Sequence, residues 1–124
     1  MSVIVLDTSI LIDVLRGDPA AVDFVRRLDA VPVCSEITRV EVLRGMRSKE
    51  RAATETLFRA LDWLPIDEVI ARRAGHLGHR WRRSHAAISS ADLVIAASVD
   101  EIDAELATSN VRHFPMFEGL LPPY

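Results

Sequence analysis

The stretch Val3-Ile4-Val5-Leu6-Asp7-Thr8-Ser9 decides the fold. Four apolar, mostly β-branched residues run without alternation and stop at a carboxylate followed by two hydroxyl side chains. A strand with one wet face alternates apolar and polar residues. A short continuous apolar run instead reads as a strand buried on both faces, the habit of parallel sheets. Its polar end then marks the carboxyl edge of the sheet, where open α/β folds bind their ligands. Beyond it, Thr8 or Ser9 can cap a short helix running to Arg16, and Gly17 can end it.

The same alternation continues outward from this stretch. Pro19 opens a second helix, with Ala21, Phe24, Val25 and Leu28 at helical spacing. Pro32 to Ser35 reads as a second strand, and the helix after it carries Ile37, Val40, Val42 and Leu43 up to Gly45. Ser48 can cap a helix bearing Leu57, Phe58 and Leu61, before a weak third strand at Trp63 to Ile66. Asp67 caps a long helix through Val69, Ile70, Ala74, Leu77 and Trp81, and Ser89 or Ser90 starts another along Leu93 to Ala97. Glu105 to Thr108 reads as a fourth strand. Phe114 to Leu121 can add a short edge strand, with Pro115, Pro122 and Pro123 limiting its pairing. Short strands alternating with helices predict an α/β fold, one three-layer α/β/α domain over residues 1–124 with a parallel sheet.

At 124 residues and 49% hydrophobic content the chain can bury a core and is not disordered. Its apolar runs are too short for a membrane span or a signal-peptide core. The single cysteine, Cys34, cannot form an intrachain disulfide, which fits a cytoplasmic protein, and its apolar context marks a small core residue. A net charge of −3 gives no overall attraction for nucleic acid. All but one of the 15 basic side chains are arginine, and many fall in two stretches, Arg39 to Arg51 and Arg72 to Arg83. These are either solvated faces with surface ion pairs or a phosphate-contacting surface.

Three carboxylates and an amide stand out. Asp7 ends the first strand, and a carboxylate there can equally bond the amides of the next helix. Glu41 has the Thr38-x-x-Glu spacing of a capping box, but Ser35 and Glu36 start that helix earlier, leaving Glu41 inside it among apolar neighbours. Asp92, in Ser89-Ser90-Ala91-Asp92, suits the first turn of a helix whose next five residues are wholly apolar. Asn110 follows the fourth strand, where a turn residue is ordinary. Convergent, they would form an oxygen-only cluster suited to a hard cation such as Mg²⁺ or Mn²⁺. The four histidines and Cys34 show no usual zinc spacing, His76 and His79 being a lone i, i+3 pair. An oxygen-ligated ion can turn a bound water into a nucleophile for a phosphodiester.

Leu6-Asp7-Thr8-Ser9, Arg39-Val40-Glu41-Val42-Leu43-Arg44-Gly45, Ala91-Asp92-Leu93-Val94-Ile95-Ala96-Ala97 and Thr108-Ser109-Asn110-Val111-Arg112-His113-Phe114 together resemble the PIN-domain family. More narrowly, they resemble VapC-type toxins of bacterial toxin–antitoxin pairs, and the likeness covers essentially the whole chain. The resemblance implies a sheet ordered 3-2-1-4-5 and a Mg²⁺-dependent endoribonuclease acting on RNA, with transfer or ribosomal RNA loops as plausible targets. It also implies a homodimer, assembled as a heterotetramer or larger with a VapB-like antitoxin whose C-terminal segment blocks the acidic site. By motif, Asp7, Glu41 and Asp92 match the family's acidic metal residues, and Asn110 matches a fourth, often aspartate. Thr8, Ser9 and Thr108 would support the site by hydrogen bonding. Arg39, Arg44, Arg82 and Arg83 would contact RNA phosphates, and Leu11, Leu15, Val40 and Leu43 would line the antitoxin groove.

Other folds with the same outline fit less well. A receiver domain needs an acidic pair after the first strand and a late lysine, whereas Lys49 is the only lysine. A dinucleotide-binding domain needs a glycine-rich turn where Thr8-Ser9-Ile10 stands. The remaining rival is a PIN-like module that binds RNA or protein without cutting, which Asn110 favours and the three carboxylates oppose.

Overall fold

The computed structural model describes residues 2–85 and 87–124. In chain order the main elements are β1 (Ile4–Leu6), α1 (Thr8–Leu15), α2 (Pro19–Arg26), β2 (Val33–Ser35), α3 (Glu36–Gly45), α4 (Arg51–Arg59), β3 (Asp62–Leu64), α5 (Glu68–Trp81), α6 (Ser90–Glu101) and β4 (Glu105–Ala107). All strand pairs are parallel, in the order β3-β2-β1-β4. The continuous apolar run is β1, an inner strand paired with β2 on one side and β4 on the other.

Its side chains show why no alternation was possible. Leu6, with Cys34 of β2 and Ala107 of β4, packs into a core against Ile10 and Leu11 of α1, Val42 of α3 and Phe58 of α4. Val5 points to the other face, where it meets Ile95, Ala96 and Val99 of α6 and the ring of Phe114. Each strand face therefore needs apolar residues, as expected for a sheet covered on both sides. Burial pushes the Cys34 thiol up to about 12, so it stays a protonated core side chain.

The punctuation is chemical. Gly17, at φ 77°, turns the chain after α1 in a conformation that costs other residues a Cβ clash. Asp18, Ser35, Asp67 and Ser89 each accept an amide at a helix start. Where α5 crosses α6, a Cβ on Gly78 would lie 2.8 Å from Leu93 Cδ1, so the glycine permits the close approach.

The fifth strand expected at Phe114 to Leu121 does not form, so the order stops at 3-2-1-4. After a single 3-10 turn (Val111–His113), the chain instead drops Phe114, Phe117 and Leu120 onto the α6 side of the core. Pro115 already removes one ladder donor, and side-chain burial replaces the pairing. No described helix is long and apolar enough to cross a membrane.

Candidate active site

Four segments meet at the carboxyl edge of the sheet: the β1–α1 junction, α3, the start of α6 and the turn after β4. They enclose a cleft of about 450 Å³ lined by Asp7, Thr8, Ser9, Glu41, Asp92 and Asn110, among others.

Asp7 occupies the N-cap position of α1, yet its side chain accepts no capping bond. It is 3% exposed. Its Oδ2 accepts the Thr108 hydroxyl at 2.6 Å and the Ser9 hydroxyl at 2.9 Å. Each hydroxyl is itself oriented by a backbone amide: Asn110 N–H donates to Thr108 Oγ1 at 2.9 Å, and Ser109 N–H to Ser9 Oγ at 3.2 Å. Amide, hydroxyl and carboxylate thus form two short relays that fix one oxygen of Asp7 and tie the turn after β4 to α1. A bond to an ionised acceptor is the stronger kind. Replacing Thr108 by valine keeps the shape and removes the donor. We expect urea unfolding to show a loss of about 1.5–3 kcal/mol, the range for a hydrogen bond to a charged group.

Glu41 follows the same logic. Ser35 caps α3, accepting Ile37 N–H, so the Thr38-to-Glu41 spacing is no capping box. Instead, Thr8 donates to Glu41 Oε1 at 2.6 Å, and Thr38 Oγ1 lies 3.0 Å from Thr8 Oγ1. Thr8 has one proton and gives it to the charged acceptor, so Thr38 donates to Thr8. Both threonines are buried.

Asp92 sits in the first turn of α6 with its own N–H capped by Ser89 Oγ at 3.1 Å. Its Oδ2 lies 3.2 Å from His113 Nδ1. Burial raises its carboxyl above the ordinary aspartate range, and the nearby negative charges of Asp7 and Glu41 add to that, against Ser89 and His113.

The three carboxylates share a pattern. Each has one oxygen held by a protein group, while Asp7 Oδ1, Glu41 Oε2 and Asp92 Oδ1 accept no hydrogen bond from a described side chain. Three free carboxylate oxygens that repel one another across a cleft suit a hard cation with oxygen ligands. Among the described residues no three acidic or histidine side chains close to direct-ligand spacing. The cleft is instead wide enough for an ion that keeps part of its water shell, as Mg²⁺ prefers.

The other expected site residues divide. Asn110 lines the cleft. Arg39 does not: its guanidinium forks onto Glu36 at 2.6 and 3.2 Å and stacks 3.9 Å from the Trp63 ring centroid. Arg44 and Arg83 are exposed outside the cleft, and Arg82 donates to the His79 carbonyl. Leu11 is 1% exposed and faces the core, which removes it from any open groove. Leu15 borders a neighbouring groove with Ile12, while Val40 and Leu43 are exposed on α3. Sequence reasoning missed Asp13, Arg16 and His113, which also line the cleft. Ser9, Asp13 and Arg16 at helical i, i+4, i+7 spacing were the available signal for two of them.

The chain has relatives among known proteins. The family model described as PIN domain matches residues 4–116. Ribonuclease VapC19 of Mycobacterium tuberculosis is 46% identical over 122 residues, covering 96% of this chain and 98% of that one. Ribonuclease VapC10 of the same organism is 45% identical over 123 residues, covering 98% and 92%. A chain of a toxin–antitoxin complex from Klebsiella pneumoniae superposes with a TM-score of 0.83 at 26% identity, covering 97% of both chains. The chain belongs to the PIN-domain family, among its VapC-type members.

Proposed function

We propose that this protein is a Mg²⁺-dependent endoribonuclease toxin, in which Mn²⁺ can substitute, held in check by a VapB-like antitoxin. The observation that supports this best is the trio of free carboxylate oxygens on Asp7, Glu41 and Asp92 around one cleft. The relatives named as ribonucleases support the substrate class.

Asp7, Asp92 and Glu41 would hold the cation, which when bound supplies Lewis acidity toward water and the phosphodiester. The chain's own residues do the positioning. Thr108 and Ser9 aim Asp7, Thr8 aims Glu41, and the start of α6 sets Asp92 at the positive end of a helix dipole. Asn110 offers the cleft an amide where a fourth carboxylate would add charge, which favours one firmly held cation. Arg82 and Arg83 open the α5–α6 connection, whose Ala87 and Ser89 border the cleft, and RNA backbone entering on that side would meet them.

The direct experiment is cleavage of single-stranded and loop RNA by the purified chain. Cutting is expected with Mg²⁺ or Mn²⁺ and not in EDTA, and sequencing of 5′ ends would give the site. Cleavage that persists in EDTA contradicts the reading. The open spacing of the carboxylates and Asn110 favour the second reading, a module that binds RNA without cutting, and the same assay decides between them.

For the antitoxin, the groove of about 370 Å³ beside the cleft, lined by Ile12, Leu15, Arg16, Gly45, Arg47 and Glu50, is the proposed seat. Leu15→Asp is expected to weaken binding of a co-expressed antitoxin at least tenfold in calorimetry while the variant still unfolds cooperatively, and equal binding removes this groove. A homodimer, and a heterotetramer or larger with antitoxin, is proposed on family grounds. A monomer by light scattering at micromolar concentration contradicts the dimer.

A further inference from the structure

The face of α1 turned to the cleft carries Ser9, Ile12, Asp13 and Arg16. Negative charge dominates the lining, from Asp7, Asp13, Glu41 and Asp92. Of the two basic side chains among the described lining residues, His113 is paired with Asp92. Arg16 is exposed and makes no ion pair with a described residue.

Its missing partner is informative. Asp13 stands three residues before Arg16 on the same helix face, the spacing at which such charges pair. Yet Asp13 Oδ2 accepts the Tyr124 hydroxyl at 2.6 Å. The Tyr124 ring rests against Phe24 of α2, with centroids 6.0 Å apart, so the tyrosine is anchored on the helix next to α1. Burial and the bond to Asp13 hold its hydroxyl protonated, as a donor, well above the ordinary tyrosine range.

We propose that Arg16 binds an RNA phosphate flanking the scissile one, and that Tyr124 acts as a positioning residue by holding Asp13 through its Oδ2 and so keeping the carboxylate from pairing with Arg16. This deepens the ribonuclease reading and rests on it. Asp7, Glu41 and Asp92 would hold a cation that offsets the charge of one phosphate, whereas the next phosphate along the strand would meet an acidic wall. A guanidinium is the side chain whose forked donors match two phosphate oxygens, and Arg16 supplies it at that wall.

Steady-state cleavage of a single-stranded RNA by the full chain in Mg²⁺ tests this. Arg16→Ala is expected to raise KM about tenfold, with the loss in KM rather than kcat. The slope of log(kcat/KM) against log salt should shrink by about 0.7, the share of one single-strand phosphate. Arg16→Lys recovers part of the loss. Tyr124→Phe is expected to raise KM about threefold, to add nothing in the Arg16→Ala background, and to be rescued by Asp13→Asn. Binding of the same RNA in Ca²⁺, followed by anisotropy, should show the same order of affinities and the same change of slope. That arm reads Arg16 even if the wild type does not cut, a result that would count against the ribonuclease reading alone. Wild-type affinity and salt slope in Arg16→Ala overturn the proposal. So do additive effects of Tyr124→Phe and Arg16→Ala, or a loss in Arg16→Ala confined to antitoxin binding.

Discussion

Asp7→Asn is expected to lower RNA cleavage by at least roughly a thousandfold, about 4 kcal/mol of barrier at about 1.4 kcal/mol per decade. Asparagine keeps the volume, and its carbonyl can still accept from Thr108 and Ser9, so the two relays that organise the turn after β4 survive. What is lost is the charge on the free oxygen facing the cleft. The variant should therefore show wild-type circular dichroism and cooperative unfolding while losing activity in both Mg²⁺ and Mn²⁺. Cleavage within tenfold of wild type would remove Asp7 from the site. An unfolded variant would show that the charge is structural, and Asp7→Glu, which restores charge with a displaced oxygen, would then decide between the two roles.

Asp92→Asn is expected to move activity and stability in opposite directions. Burial and the charges of Asp7 and Glu41 hold the Asp92 carboxyl above its ordinary range. A carboxyl whose folded pKa is raised contributes stability below its unfolded pKa, and that contribution is lost as pH rises through the folded value. At neutral pH the ionised Asp92 therefore weighs against the cation-free fold, and asparagine removes that cost. The melting temperature in EDTA should rise, with the largest gain at neutral pH and little gain at the acidic end of the carboxylate range. Cleavage should fall by about a hundredfold or more, since one of three anionic oxygens is gone. Mg²⁺ should raise the wild-type melting temperature by mass action and raise that of the variant much less. A variant less stable than wild type in EDTA at pH 7 would show that the His113 pair outweighs the repulsion.

The sheet was legible because its signals are one-dimensional. Val3 to Leu6 needs apolar residues on both faces, and Ser35, Asp67 and Ser89 cap their helices with the amides the sequence suggested. The gathering of Asp7, Glu41, Asp92 and Asn110 at one cleft was suggested by three of them lying at or near a strand end or helix start, with Glu41 marked as a carboxylate inside its helix. Features that depend on distant partners were not legible. Arg39 sits beside Glu41 in sequence and has Glu36 as a local i, i+3 partner, but its stacking on Trp63 depends on a residue no local pattern links to it. Leu11 and Leu15 look alike at helical spacing, and only the packing of α1 on β1 buries the first and leaves the second at a groove. The expected fifth strand failed because burial of Phe114 and Phe117 outweighed edge pairing in a segment already short of donors. The link from Tyr124 to Asp13 spans most of the chain, and no local pattern announces it.

The capping alternatives resolved in an instructive way. Asp7 stands at a cap position without capping, and Glu41 shares a capping-box spacing with Thr38 while both answer to Thr8. In each case a neutral hydroxyl binds one carboxylate oxygen and leaves the other outward. A purely structural carboxylate would be expected to satisfy both oxygens within the fold.

The central claim is that Asp7, Glu41 and Asp92 form one cation site. A titration of Mn²⁺ into the cation-free chain, followed by the electron paramagnetic resonance signal of the free ion, tests it without reference to activity. One ion per chain should bind to the wild type, competed by Mg²⁺, with affinity reduced at least about tenfold in each of Asp7→Asn, Glu41→Gln and Asp92→Asn. Equal Mn²⁺ binding by the wild type and all three variants would contradict it.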